Sequence, residues 1–175
     1  IKSKSNDYFL QSSDKIRIFL EEKALDDGKL NRPLELSINK IGHNLHSLDN
    51  LFSAVTLQKK NSLICQDLGF YEPVIIQSMY IFKQPFIGGD VKPHQDSTFI
   101  YTNPNKCLGF WIALDDSTIS NGCLWVIPKS HKTALINRFK LNAITNELYY
   151  DPPLDLDYLN KIWRHDQFVP IEINS

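Results

Sequence analysis

The chain has 175 residues, of which 42% are hydrophobic, and its 19 basic residues nearly balance its 20 acidic ones. This size and composition predict one globular domain with a sizeable core. Because no block of like charge occurs, they argue against nucleic acid or an anionic membrane surface as a partner. No apolar run approaches the roughly 18 to 20 residues of a membrane span, and no signal-peptide pattern opens the chain.

The three cysteines indicate the cellular compartment of the protein. Cys65, Cys107 and Cys123 form no close pair, which argues against a disulfide framework and favours a reducing compartment. We therefore expect an intracellular monomer in the cytoplasm, with the peroxisome as the alternative.

The two ends of the chain look truncated. The chain does not begin with Met and stops at Ser175, directly after a strand-like segment at residues 168–173 that has no strand behind it. We expect a fragment of a longer protein.

The chain opens with two short apolar segments. Residues 8–10 and 15–20 are separated by a polar turn, and the second segment alternates apolar and polar side chains, which predicts a β-hairpin. A short helix capped by Asp14 is the alternative.

A helical pattern follows. Apolar residues recur at helical intervals between residues 38 and 57, and Asp49 can cap a second helix within this range. A shorter helix is predicted at residues 61–68, and Gly69 can end it in a left-handed conformation. These signals predict a helical buttress over about residues 37–69.

Strand-like runs dominate the remainder of the chain. Residues 74–82, 107–114 and 123–127 are apolar and are bounded by turn residues. Short strands preceded by helices predict an antiparallel jelly roll, mainly β with N-terminal helices, whose core starts at about residue 73. The whole chain, residues 1–175, is expected to form one domain.

His94 and Asp96 form the most informative pair. They are two residues apart, so in an extended segment over residues 91–101 both side chains project from one face. An imidazole beside a carboxylate provides two of the three ligands of a facial triad for non-haem Fe(II). A hydrogen-bonded pair at a strand end is the alternative. His43 and His46, three residues apart on the predicted helix, are interpreted as surface or cleft-lining histidines.

Five segments together resemble the phytanoyl-CoA dioxygenase family of Fe(II)- and 2-oxoglutarate-dependent oxygenases. They are residues 37–46, 77–84, 93–96, 108–113 and 121–131. The resemblance implies a double-stranded β-helix of the jelly-roll, cupin-like class, in which His94 and Asp96 bind iron.

The resemblance also implies which residues help to hold 2-oxoglutarate. By position these are Lys40, Met79, Gln95 and Trp111. The alternatives stay open: Lys40 can be a solvated lysine, and Met79 and Trp111 can be core residues.

In the family, a second metal histidine and an arginine for the far carboxylate of 2-oxoglutarate come later than Ser175. His131 matches the Ser-His that ends a family motif, and His165 precedes the strand after which the family's ligand lies. The resemblance therefore implies that this fragment lacks the distal ligand and is inactive alone, and that the double-stranded β-helix is incomplete at the C-terminus.

The activity implied for the parent protein is hydroxylation of a small organic or acyl substrate with O₂, coupled to decarboxylation of 2-oxoglutarate to succinate. Ascorbate is a candidate reductant. Asp96 favours hydroxylation over halogenation, and the lack of a basic cluster for CoA phosphates weakens an acyl-CoA substrate. Two alternatives are a non-catalytic module that binds metal or 2-oxoglutarate, and a cupin-like hydrolase or isomerase, which would need more histidine ligands.

Overall fold

Short helices and short antiparallel strands make up the computed structural model, which describes residues 7–174. The chain divides after Asp90 into two compact units, and each is described by itself. This division does not test the expectation of one domain, which stays a prediction. Every helix within residues 7–174 is too short or too polar to cross a bilayer.

Within residues 7–90 the first unit contains four α-helices, two short 3-10 turns and five strands. In chain order the α-helices and strands are α1 (Asp7–Leu10), β1 (Ile16–Leu20), β2 (Leu25–Asp26), β3 (Lys29–Leu30), β4 (Ile38–His43), α2 (Leu45–Leu48), α3 (Asn50–Thr56), α4 (Lys59–Asp67) and β5 (Ser78–Ile81).

A three-stranded antiparallel sheet in the order β1–β4–β5 organises this unit, and β2 and β3 form a small hairpin beside it. Across the sheet Phe19 lies opposite Lys40, which lies opposite Ile81. Directly opposed residues share a face. The other face carries Ile41 opposite Tyr80, and it lines an open apolar pocket of about 240 Å³ together with residues of α2 and α3.

Two predictions for this unit are wrong. Residues 8–10 form part of helix α1 rather than the first arm of a hairpin, although the second arm is β1. Residues 38–43 are the central strand β4 and not a helix, so the predicted helical segment begins only at Leu45. The apolar spacing there fits a helix, but pairing with strands on both sides stabilises the extended backbone, and this tertiary context overrides the local pattern.

The helix-end predictions are confirmed. The carboxylate of Asp49 accepts hydrogen bonds from the backbone N–H groups of Leu51 and Phe52, at 3.0 and 3.1 Å, and thereby caps α3. Gly69 follows α4 with a φ of 76°, the left-handed conformation that glycine adopts without strain. The predicted strand at residues 74–82 shrinks to β5, because only four of its residues pair with β4.

The second unit contains four strands and one α-helix. They are β6 (Leu124–Val126), β7 (Arg138–Leu141), β8 (Leu148–Asp151), α5 (Leu156–Ile162) and β9 (Val169–Ile171). The strands pair antiparallel as β6–β9 and β7–β8. The strand predicted near the C-terminus therefore has a partner, because Leu124 lies opposite Ile171.

Among the described residues, neither the segment expected to be extended at residues 91–101 nor the strand predicted at residues 107–114 forms a β-strand. Residues 91–95 form no ladder and lead into a 3-10 turn at Asp96–Thr98, and residues 107–114 are irregular. Residues 107–114 are an apolar run, but such a run favours a strand only where another strand can pair with it, and this run has no partner strand among the described residues. The coarser expectation of antiparallel sheets with helices is met, and the jelly roll stays a prediction.

Candidate functional site

His94 and Asp96 lie side by side in the second unit. Nε2 of His94 is 3.3 Å from Oδ1 of Asp96. Gln95 between them is extended, with φ −102° and ψ 131°, and an extended residue directs its two neighbours to the same side. The predicted adjacency thus arises without the predicted strand.

A backbone carbonyl fixes the protonation of the His94 ring. Nδ1 of His94 is 2.7 Å from the carbonyl oxygen of Lys92, and a carbonyl oxygen can only accept, so Nδ1 donates. In the neutral ring, Nε2 then directs its lone pair towards the Asp96 carboxylate. Two acceptors at 3.3 Å require a cation, either a proton or a metal ion, to hold them together. This donor set fits a divalent metal that takes nitrogen and oxygen ligands.

The carboxyl group of Asp96 is suited to remain ionised. A hydrogen bond with His94 lowers the pKa of Asp96, the charge of a protonated His94 lowers it further, and burial opposes both effects. The side chains of His94 and Asp96 are 38% and 62% exposed. Solvent, and therefore a ligand, can reach both groups.

The turn after the pair holds it in place. The carbonyl of Asp96 accepts hydrogen bonds from the N–H groups of Phe99 and Ile100, both at 2.9 Å. The Phe99 ring meets the His94 imidazole edge to face at 5.7 Å between centroids. The 3-10 turn therefore places an aromatic wall beside the histidine.

Gln95 contacts the segment that leads into β7. Its Oε1 accepts from the N–H of Ile136 at 3.0 Å, and its Nε2 donates to the carbonyl of Ala134 at 3.1 Å and lies 3.5 Å from the hydroxyl of Thr133. Both ends of the amide are thus engaged by polypeptide. Gln95 anchors the segment that carries His94 and Asp96, and its contact with 2-oxoglutarate stays a prediction.

The segment that contains Trp111 passes close to Asp96. A Cβ atom added at Gly109 would lie 3.7 Å from Oδ2 of Asp96. Burial, and secondly the negative charge of Asp96, raise the pKa of the Cys107 thiol. Trp111 itself is 40% exposed and lies in irregular backbone, whereas a buried strand was predicted.

Lys40 and Met79 belong to the first unit and share one face of its sheet. Lys40 lies opposite Ile81 and Met79 opposite Gly42, so the two side chains are diagonal neighbours. Nζ of Lys40 is 5.7 Å from the ring centroid of Phe19 and equally far from that of Phe9, which places the ammonium over aromatic faces.

Of the two histidines at positions 43 and 46, only His43 differs from its predicted setting. His43 ends β4 and is buried at 5% exposure, so the prediction of a helical surface or cleft histidine is wrong. His46 lies on α2, where its Nδ1 and backbone N–H are 2.8 and 2.9 Å from the hydroxyl of Ser78. Both imidazoles are engaged by hydroxyl groups.

Within residues 7–174 no three His, Cys, Asp or Glu side chains are grouped so that they could hold a metal ion. His131 and His165 are exposed and lie in separate 3-10 turns. The role of the Lys92 carbonyl could not be predicted, because backbone groups have no residue-type signature. The nearness of Cys107 to Asp96 was equally invisible, because it arises from long-range packing.

Known proteins of one family match nearly the whole chain. The family model "Phytanoyl-CoA dioxygenase (PhyH)" matches residues 3–174. The chain is 49% identical over 175 residues to "Phytanoyl-CoA dioxygenase" of Arabidopsis thaliana, an alignment that covers 99% of the chain and 59% of that relative.

Animal relatives match as well. "Phytanoyl-CoA dioxygenase domain-containing protein 1" of Bos taurus is 53% identical over 136 residues, with 77% of the chain and 47% of the relative covered. Its Mus musculus counterpart is 45% identical over 169 residues, with 95% and 57% covered. The chain spans roughly half to three-fifths of the length of these relatives.

Proposed function

The chain belongs to the phytanoyl-CoA dioxygenase family, and from that membership we propose that the whole protein is an Fe(II)- and 2-oxoglutarate-dependent dioxygenase. It hydroxylates a small organic or acyl substrate and converts 2-oxoglutarate to succinate. One observation carries the proposal: the His94 Nε2 lone pair and the Asp96 carboxylate face each other at 3.3 Å.

His94 and Asp96 hold the ferrous ion in this proposal. When bound, the ion supplies open coordination positions for 2-oxoglutarate and O₂ and the redox chemistry that couples decarboxylation to hydroxylation. The Lys92 carbonyl keeps Nδ1 protonated and so keeps Nε2 available as a ligand. The Asp96 carboxyl group is charged at neutral pH, because the ordinary pKa of an aspartate lies well below 7.

In this proposal four side chains contribute to 2-oxoglutarate binding, namely those of Lys40, Met79, Gln95 and Trp111. The Lys40 ammonium complements a carboxylate of the cosubstrate, and Met79 and Trp111 supply apolar surface. In the whole protein these residues line a double-stranded β-helix.

The third metal ligand comes from the part of the whole protein that the relatives have and this chain does not match. The described residues offer two ligands and no third, which favours weak metal binding without turnover for the 175-residue chain by itself. A non-catalytic binding module is therefore the second candidate function.

An anaerobic titration tests the proposal. The full-length protein is mixed with ferrous ion, with and without 2-oxoglutarate, and the weak visible charge-transfer band of the ternary complex is recorded. We expect the band in the wild type and its loss in His94→Ala and Asp96→Ala. Release of succinate under air is measured in parallel.

His165→Ala removes an exposed histidine of the same unit and serves as the matched control, which should retain the band. Absence of the band in the wild type, or its persistence in Asp96→Ala, contradicts the proposal. A band without succinate release in the presence of O₂ supports the non-catalytic module instead.

A further inference from the structure

Arg138, the first residue of β7, has a guanidinium group without a protein acceptor. Its Cζ lies 3.6 Å from the centroid of the Tyr101 ring, so one face of the group stacks on that ring. No side-chain hydrogen bond or ion pair joins Arg138 to another of residues 7–174, and its Nε is buried without a partner. The two terminal nitrogens are not buried in this way and remain free to donate.

The nearest carboxylate of the β7–β8 hairpin is already engaged. Asp151 lies opposite Arg138 in the ladder, but the ammonium of Lys140 forms the ion pair with it. Directly opposed residues and residues two apart on a strand share a face. This face therefore carries two cationic side chains and one carboxylate, which leaves one positive charge at Arg138.

Residues on both sides of Arg138 fasten it to the turn that carries Asp96. The hydroxyl of Thr98 lies 3.4 Å from Oδ1 of Asn137, and both side chains are buried. The Phe139 ring lies 5.6 Å from that of Phe99, which in turn packs against His94. These contacts attach the β7 backbone on both sides of Arg138 to the turn that carries Asp96, in the same unit.

We propose that Arg138, oriented by Tyr101, binds an oxyanion of the organic substrate, which makes that substrate a carboxylic acid or a phosphate ester. This inference rests on the proposed dioxygenase function. The planar fork of a guanidinium matches the two oxygens of a carboxylate or phosphate, and stacking on an aromatic ring fixes its plane before the ligand arrives. An exposed lysine would supply charge without that orientation.

The test uses nuclear magnetic resonance on the full-length protein, without added iron or 2-oxoglutarate. The Nε–Hε signal of Arg138 is assigned by its disappearance in Arg138→Lys. Backbone amide signals of β7 are then followed while sodium acetate, methyl phosphate or inorganic phosphate is added, with sodium chloride holding the ionic strength constant. A saturable shift of the Arg138 signal with acetate or methyl phosphate is expected.

Arg138→Gln should weaken binding about tenfold or more, because a charge-assisted hydrogen bond is lost, and Arg138→Lys should fall between the two. Arg17→Gln is the matched control, since Arg17 also stacks on a tyrosine, Tyr8, at 4.5 Å, but donates to a backbone carbonyl. Its affinity should equal that of the wild type.

Acetate binding alone indicates a carboxylic acid, and methyl phosphate binding indicates a phosphate ester. Binding of inorganic phosphate only, shifts that do not saturate, or unchanged affinity in Arg138→Gln overturns the inference. If the wild-type protein shows no charge-transfer band with ferrous ion and 2-oxoglutarate, the dioxygenase proposal fails, whereas anion binding at Arg138 is measured independently.

Discussion

Nδ1 of His43 lies 2.6 Å from the hydroxyl oxygen of Ser12, and both side chains are buried. The Ser12 hydroxyl donates to the carbonyl of Phe9, so it accepts from Nδ1, which fixes the proton there. The rings of Phe9 and Phe19 lie 5.1 and 5.2 Å from the imidazole. Burial, and secondly the charge of Lys40, lower the pKa of His43 to about 4.

This pair predicts a loss of stability in mild acid. The unfolded chain takes up a proton at His43 near pH 6.5, whereas the folded chain does so only near pH 4. Stability is therefore complete above pH 6.5, declines as the pH falls towards 4, and changes no further from this group below 4. The difference amounts to roughly 3 kcal/mol, measured as the free energy of unfolding in urea at several pH values.

His43→Gln should flatten most of this pH dependence, at a lower absolute stability. A smaller slope remains from His46, because burial lowers its pKa too. Equal slopes in wild type and His43→Gln would show that His43 is not protonated preferentially in the unfolded chain.

The buried carboxylate of Glu21 stabilises the fold through the two hydrogen bonds that it accepts. Its carboxylate is 4% exposed and accepts from Nδ2 of Asn39 and from the N–H of Gly89, each at 2.9 Å. In Glu21→Gln one of these donors faces an amide NH₂ group instead of an acceptor. We expect a loss of about 1–3 kcal/mol in the free energy of unfolding, the usual cost of an unpaired buried donor.

Glu22→Gln is the matched control, since Glu22 is the exposed neighbour, and it should change stability by less than about 0.5 kcal/mol. If Glu21→Gln is as stable as Glu22→Gln, the two hydrogen bonds of Glu21 do not stabilise the fold.

Structural features that depend only on neighbouring residues could be predicted from the sequence. The cap of α3 by Asp49 and the left-handed Gly69 depend only on neighbouring backbone groups, and both are present. The approach of His94 to Asp96 is of this kind as well, because one extended residue between them suffices.

Features that depend on distant partners could not be predicted. Residues 38–43 have apolar spacing that fits a helix, and only their pairing with β1 and β5 decides for a strand. The predicted strand at residues 107–114 fails for the opposite reason, since it has no partner. Gln95 likewise bonds to a segment about forty residues away, which no local pattern encodes.

Gly42 allows β4 and β5 to approach closely beneath Met79. A Cβ atom at this position would lie 3.1 Å from Cγ of Met79 and 3.2 Å from the carbonyl oxygen of Ser78. The methionine side chain can turn aside, but the carbonyl belongs to the paired backbone. Gly42→Ala should therefore lower the free energy of unfolding by about 1–3 kcal/mol, as overpacking typically does.

Gly109→Ala provides the comparison for this experiment. The nearest atom to its new Cβ would be Oδ2 of Asp96 at 3.7 Å, an ordinary contact, so its urea midpoint should stay close to that of the wild type. If the urea midpoint of Gly42→Ala is also close to that of the wild type, the close approach of β4 and β5 does not contribute to the free energy of unfolding.

Gln95 gives the last prediction, which concerns local opening rather than global stability. Its amide accepts from the N–H of Ile136 and donates to the carbonyl of Ala134. Gln95→Leu removes both bonds, so the Ile136 amide should exchange with deuterium about tenfold faster, as expected for the loss of about 1.4 kcal/mol of local stability. Hydrogen exchange followed by nuclear magnetic resonance measures this rate directly.

Gln84→Leu is the matched control for this experiment. It removes a comparable bond, to the carbonyl of Glu35, and should leave exchange at Ile136 unchanged. An unchanged rate in Gln95→Leu would mean that the segment before β7 is held by other contacts, and Gln95 would then be available for the cosubstrate.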